Sequence, residues 1–333
     1  MTISDIAKMA GVSNAAVSRY LNGGSLSAEK REAIREAVER TGYRPDAAAQ
    51  TLRTGHVNQV GVIAPCVSSQ SVALITGGIS DELEASNYMV LLGNTSWQER
   101  KELNYLSVMQ RNHVAGIILM GTVCTPAHVQ AFRDCRVPLV VTGQRFPDVP
   151  CVYNDDRSAT RDLTRRMLER GRRKIVYIGG SEKDIAIGVE RRLGVQSAMA
   201  AAGLDSESLP RICCERFEAR RGYECMQALL TRCPDLDGVV CVTDTVALGA
   251  LSALREAGRK VGGDVSLAGI GDSWADTVAE PGLTTVHFYQ NQVGSEAARM
   301  LLQMIAERSE RGAQPGPVRQ ISMGYTVIER GSI

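Results

Sequence analysis

Short β-rich runs alternate with stretches of helical period along most of this chain, from Val60 onward. The runs are VGVIAP, YMVLLGN, AGIILM, PLVVTG, KIVYIGG, DGVVCVT, VSLAGIG and TTVHF; amphipathic stretches such as Asp156 to Arg170, Ala186 to Ala202, Ala219 to Thr231 and Asp244 to Glu256 lie between them. Parallel strands need a crossover that is usually a helix, so this alternation predicts an α/β protein whose parallel sheets are covered by helices. In such folds ligands sit at the carboxyl ends of the strands. One sheet would be too large, and we expect two similar lobes with a cleft between them.

The first 55 residues follow a different pattern. In TISDIAKMAG, Thr2 is placed to N-cap a short helix with Asp5 at its third position, and Ile6, Met9 and Ala10 give it an apolar face. Gly11 ends that helix, and Ser13 caps a second one whose buried stripe is Ala16, Val17, Tyr20 and Leu21. Asn14, Ala15, Ser18, Arg19 and Asn22 then point outward. A third helix, Ser27 to Thr41, brings Ile34, Ala37 and Val38 to the same small core. Two short helices around a glycine turn are the sequence form of a helix-turn-helix. Its small residues would let the second helix enter a major groove, where Arg19 reaches guanine and Asn14 adenine, while Ser13, Ser18 and Asn22 bond phosphates. A plain helical hairpin with solvated polar residues fits the same spacing.

In YRPDAAAQTLRTG, Asp46 is an N-cap, an alanine-rich turn-and-a-half follows, and Gly55 terminates it. A helix this short is marginal alone and should form only when something holds it. Leu52 is then either an apolar wedge between base steps of a bent duplex or the anchor of an interdomain linker.

Composition narrows the function classes. The 333 residues are 44% hydrophobic, and 38 Lys plus Arg nearly cancel 37 Asp plus Glu, so a polyanion partner needs a local surface. Residues 1–55 hold eight basic against six acidic residues, a mildly basic head. Neither a long apolar run nor a signal-like start is seen, and the protein is expected in the cytoplasm. Nine cysteines without a C-x-x-C pair, only Cys213 and Cys214 being adjacent, read as reduced thiols. The four histidines, His56, His113, His128 and His287, have no metal-ligand spacing, and no metal or other cofactor is expected. P-loop, nucleophile-elbow and kinase motifs are missing, so the chain is not expected to be an enzyme.

The motifs T-x-x-D-I-A, G-V-S, V-S-R-x-L-N, G-Y-R-P and A-x-x-L-R-x-G in the first 55 residues resemble the lactose-repressor and galactose-repressor family of bacterial transcription regulators. That resemblance implies a DNA-binding head over 1–45, a hinge helix and linker over 46–58, and a two-lobed body over 59–333 like a periplasmic binding protein. Its N-lobe would be 59–145 with 290–317, and its C-lobe 146–289 with 318–333. Asn14, Ala15 and Arg19 fall at the family's base-reading positions and Leu52 at the hinge leucine; Thr2, Ser13, Ser18, Asn22 and Ala49 complete the DNA-facing set. Asn14 and Ala15 are not the pair found in the lactose repressor, so its operator does not transfer.

In the body the resemblance places Arg191 at the effector-binding arginine, Phe217 at a stacking aromatic and Thr243 at a polar cleft position. A planar aromatic suits the apolar face of a sugar ring, and a guanidinium fork suits hydroxyls or a phosphate. Gly271 stands where many sugar-binding members carry an aspartate, and Asp272 follows it. Gln144 and the loop Ser68 to Val72, with Ser69, Ser71 and Val72, are expected to substitute for that carboxylate. Within the family, VTGQ, DIAIGVERRLG and this glycine are similar to sucrose-operon repressors of Gram-positive bacteria, which implies a disaccharide or its phosphate as effector. The expectation is therefore a nucleoid-associated homodimeric repressor on a pseudo-palindromic operator, released by its effector, with no apolar heptad tail after YTVIERGSI to build a tetramer. A purine-type co-repressed regulator or activator is the alternative, and a sugar-binding protein or enzyme a more distant one.

Overall fold

The computed structural model describes residues 1–21, 24–43, 57–309 and 317–333. They divide into two units, Met1–Asn58 and Gln59–Ile333. Asn22, Ala49, Leu52 and nearly all of the expected hinge lie outside the described residues.

The head is three helices, α1 (Ile3–Met9), α2 (Asn14–Leu21) and α3 (Ala28–Thr41). A reciprocal cap starts α1: the Asp5 amide donates to Thr2 Oγ1, and the Thr2 amide donates to the Asp5 carboxylate at 2.8 Å. Gly11 turns the chain at a φ of +63°, a left-handed conformation that costs any residue with a Cβ. Ser13 Oγ then accepts from the Ala16 amide at 3.2 Å, satisfying one free N–H at the start of α2. Ile6, Ala7, Ala16, Val17, Ile34 and Ala37 are buried together, with Tyr20, Leu21 and Val38 half-buried around them. The α2 stripe legible in the sequence belongs to this core, but Met9, expected on the apolar face of α1, is 43% exposed, and Ala7 is buried in its place.

The body runs, in order, β1 (Val57–Ala64), α4 (Gln70–Ala85), β2 (Met89–Asn94), α5 (Glu99–Arg111), β3 (Val114–Met120), α6 (Pro126–Arg133), β4 (Leu139–Thr142), β5 (Cys151–Asn154), α7 (Asp156–Glu169) and β6 (Ile175–Gly179). A π-helical turn (Ile185–Glu190), α8 (Arg191–Ala201), β7 (Arg211–Cys213), α9 (Ala219–Arg232), β8 (Gly238–Cys241), α10 (Asp244–Glu256) and β9 (Ser266–Ala268) follow. The chain ends with α11 (Ala275–Val278), β10 (Thr285–Phe288), α12 (Gln290–Ser309), β11 (Gln320–Met323) and β12 (Tyr325–Ile328).

Two sheets result. The first has the order β11-β5-β4-β3-β1-β2, the second β7-β6-β8-β9, and β10 pairs antiparallel with β12 as a separate ribbon. Strand β3 is buried along its whole length, as a parallel strand covered on both faces must be. Val60, Val62, Ile118 and Val140 meet Ile75, Ile79, Val293 and Leu301 on one face of the first sheet; Val176, Val239 and Leu267 meet Val246, Ala250 and Leu254 on one face of the second.

The expected lobe boundaries need correction. Cys151–Asn154 and Gln320–Met323, assigned to the second lobe by the ranges 146–289 and 318–333, pair in register in the first sheet. The chain therefore passes between the lobes after Asn154, after Phe288 and after Met323. β11 is the edge strand of that sheet and β5 its neighbour, and the short apolar content of these four-residue strands could not assign them. The helix expected over Ala186 to Ala202 is also divided, because Gly188 packs against the 181 loop so closely that a Cβ would lie 2.0 Å from the Ser181 carbonyl oxygen.

Candidate functional site

Two separate surfaces carry the candidate functional residues. In the head, burial of Ala16 and Val17 leaves Asn14, Ala15 and Arg19 exposed on one side of α2, with Ser18 half-buried beside them. Ser13 and Thr2 both spend their side chains on caps, Thr2 Oγ1 lying 2.9 Å from an Asp5 carboxylate oxygen. That carboxyl is held below its usual range, first by the Thr2 amide and then by the Thr2 hydroxyl. The arrangement is a helix with one apolar side pinned by two neighbours and one polar side free to enter a groove.

In the body, Trp97 past β2 meets Phe217 past β7, so the carboxyl ends of the two sheets face each other across the cleft between the lobes, and polar residues lie at several of those ends. Gln144, past β4, is 2% exposed; its Nε2 donates to the Gly121 carbonyl at 3.1 Å, and its Oε1 has no hydrogen-bond partner. Asn154 Oδ1, at the end of β5, and Gln290 Oε1, at the start of α12, are likewise buried without one. Each orphaned acceptor costs about 1–3 kcal/mol, a cost that a donor from a ligand would remove.

Arg191 enters from the second lobe, where the π-helical turn delivers it. Its Nε donates to Asp156 Oδ1 at 2.7 Å, its Nη1 donates to the Val242 carbonyl, and its guanidinium lies 5.6 Å from the Phe288 ring centroid. The pair is nearly buried, with side-chain exposures of 8% for Arg191 and 3% for Asp156. Burial raises the Asp156 pKa, and the guanidinium offsets part of that rise. Two of the three guanidinium nitrogens are thus committed inside the protein; among the described residues Nη2 has no partner.

Other expected positions divide. Phe217, past β7, is half-buried and packs at the cleft beside Ile187, close to Gly180 at the end of β6. Thr243 is half-buried there, its Oγ1 accepting from the Val246 amide as the N-cap of α10. Ser69 and Ser71 are half-buried at the start of α4, and the Ser69 hydroxyl makes no capping bond. Val72 is a correction: it is 7% exposed and packs in the first lobe's core with Val60, Ile75 and Val293, because α4 starts at Gln70 and turns position 72 inward. Near Ser68, the Cys66 thiol is held below its ordinary range, chiefly by the Ser68 hydroxyl.

Asp272, also expected among the effector-binding residues, is the second correction. One of its oxygens accepts from Arg330 Nη2 at 2.7 Å and the other pairs with His287 Nδ1 at 3.0 Å, so it ties the β9 end to the β10–β12 ribbon and is not a free grip for a ligand. Gly271 explains why no carboxylate precedes it. Its φ is +145°, and a Cβ there would lie 2.7 Å from Asp244 Oδ2. Asp244 fills that space, receiving the Thr285 hydroxyl at 2.5 Å and the Ser273 amide at 3.2 Å.

Asp276 lies against Asp244 and is fully buried. Burial and the neighbouring carboxylate push its pKa up to about 8. A folded-state pKa above the unfolded value of about 4 means that the native state holds the proton more tightly, so stability falls as pH rises from about 4 to about 8. Asp276→Asn is expected to flatten that decline: between pH 6 and pH 9 wild-type stability should drop by at least ~1 kcal/mol relative to the variant. Parallel urea titrations of the two proteins check it, and equal pH slopes would contradict the raised pKa of Asp276.

A helix-turn-helix head on a two-lobed body whose polar residues converge on an interlobe cleft defines a ligand-responsive DNA-binding regulator. Comparison with known proteins agrees. Residues 2–46 match the lacI family of bacterial regulatory proteins and residues 164–333 a periplasmic binding protein-like domain. The chain is 30% identical to the sucrose operon repressor of Staphylococcus xylosus over 304 residues, covering 91% of this chain and 93% of that one. Among solved structures, a complex of the regulator CelR with cellobiose superimposes with a TM-score of 0.74 at 27% identity, covering 100% of this chain and 99% of that one. A Lac repressor dimer bound to operator gives a TM-score of 0.85 at 20% identity over 100% and 98% of the two chains, a likeness of fold.

The chain belongs to the lacI family of bacterial regulatory proteins. It is a DNA-binding transcriptional regulator, not an enzyme. Among the described residues no helix is long and apolar enough to cross a membrane.

Proposed function

We propose that the protein is a homodimeric repressor of carbohydrate-utilisation genes, acting in the cytoplasm on a pseudo-palindromic operator and released by a sugar or sugar phosphate. The observation that carries the effector class is the set of buried, unpaired acceptors at the carboxyl ends of the cleft strands, Gln144 Oε1 and Asn154 Oδ1, with Gln290 Oε1 at the start of α12. A polyol supplies hydroxyl donors to such atoms and offers its own oxygens to Arg191 Nη2, while its apolar ring face suits Phe217. The sucrose operon repressor and the cellobiose complex among the relatives point to the same chemistry and to a disaccharide.

Asn14, Ala15 and Arg19 would read bases. Leu52 and Ala49 would act where the resemblance places them, at the hinge. Effector would alter lobe closure, and the chain joining body to head would carry that change to the operator-bound dimer.

Coupling between two sites must be reciprocal, and typical couplings are about 1–3 kcal/mol, or roughly 5- to 150-fold. Calorimetric titration of sucrose and cellobiose into the full-length dimer, with and without operator DNA, is expected to show operator weakening the active sugar by the factor with which that sugar weakens operator. Effector affinity unmoved by operator would overturn the proposed release mechanism.

A further inference from the structure

Trp97 meets Phe217 edge-on, with ring centroids 6.1 Å apart and ring planes at 88°. The two residues come from different lobes: Trp97 follows β2 of the first sheet and Phe217 follows β7 of the second. The topology gives their position meaning. Each of these strands is the outermost of its sheet, at the edge away from the three interlobe crossings. Those crossings leave β5 and β11 at the opposite edge of the first sheet and the β10–β12 ribbon beside β9, to which Gly269 and Gly271 bond through the Thr284 and Val286 carbonyls. The ring pair thus bridges the two lobes at the side away from those crossings, where rotation of one lobe against the other has its longest lever.

The backbone holds Trp97 there at a cost. Ser96 and Trp97 are consecutive non-glycine residues in the left-handed region, with φ of 52° and 62°. The Trp97 amide is tied to the Pro65 carbonyl at 3.0 Å and the Thr95 amide to Ala64 at 2.9 Å, which fixes the turn against the end of β1. Even so, the indole remains 51% exposed. A large aromatic side chain held on a strained turn and left half in water is poorly explained as core packing.

We infer that Trp97 and Phe217 form an aromatic gate at the mouth of the cleft, which parts to admit an effector and closes behind it. This rests on the reading of the cleft as the effector site and adds Trp97 as a residue that sets how long a carbohydrate stays bound. A ligand with an apolar ring face passes the gate by replacing one aromatic contact with another; a small fully polar ligand gains nothing from it.

Only Trp97 and Trp274 are tryptophans, and Trp274 lies exposed on the loop before α11, so Trp274→Phe makes Trp97 the sole indole reporter. Acrylamide quenching of this full-length variant, with and without Phe217→Ala, tests the gate without any sugar. Opening the pair is expected to raise the Trp97 quenching constant about twofold. In operator-release titrations with sucrose and cellobiose, Trp97→Leu should raise the midpoint about fivefold and speed sugar dissociation, while Trp97→Phe keeps the midpoint near wild type. Quenching of Trp97 unchanged by Phe217→Ala, or a wild-type midpoint in Trp97→Leu, would overturn the gate. Wild-type operator binding that no sugar moves would end the carbohydrate reading, and the quenching comparison would still decide the gate.

Discussion

An Arg191→Ala protein is expected to lose about 3–5 kcal/mol of stability and its response to effector, because it strands Asp156 as a buried carboxylate with no counter-charge. The geometry leaves little room for compensation: Asp156 is 4% exposed, and Arg191 Nε is its ion-pair partner at 2.7 Å. The loss should depend on pH. Burial already raises the Asp156 pKa with the guanidinium in place, and without it the rise is larger. A raised carboxyl pKa in the native state costs stability as pH climbs past the unfolded value, so the variant should be less damaged at pH 5 than at pH 8. Urea titrations at the two pH values, with Asp156→Leu/Arg191→Met as a double variant that removes both charges, measure the effect. A single variant with the wild-type midpoint at both pH values would show that the pair is solvated in solution.

Arg19→Ala carries the second large effect, on recognition instead of stability. Arg19 is exposed on the polar side of α2 and none of its charge supports the head's core. A lost bidentate contact to guanine should cut discrimination between operator and random DNA by about 1–3 kcal/mol, with little change in thermal midpoint. Competition titrations at fixed salt compare the two proteins on both DNAs. Unchanged sequence preference would place the recognition surface elsewhere.

Much of this was legible because local rules and tertiary structure agree. Thr2, Asp5, Gly11 and Ser13 specify caps and a turn within a few residues of one another, and the structure uses each of them in that way. The long parallel strands were legible for the same reason, as continuous apolar runs such as Val114–Met120. Where local signal is thin, the sequence is silent. Strand β7 has three residues, and β5 and β11 have four each, so nothing in them tells which sheet they join.

Relationships between residues far apart in the chain were also invisible. Arg191 and Asp156 lie 35 residues apart, and Asp272 reaches Arg330 across 58. Arg191 stood out by family position, but its partner did not. Trp97 gave no periodic signal at all, since it sits on a turn whose role appears only when the second lobe supplies Phe217. Val72 was misplaced for a simple reason: an apolar residue after a serine-rich loop faces the core once the helix begins two residues before it.

One molecule is expected to read a specific operator and to give it up to a small polyhydroxylated ligand. Fluorescence anisotropy of the full-length protein on DNA from its own upstream region, against random DNA at one fixed salt concentration, tests this directly when a panel of sugars and sugar phosphates is added. Selective binding that one compound of the panel weakens roughly 5- to 150-fold is expected. Equal affinity for both DNAs, or selective binding that every compound leaves unchanged, would contradict it.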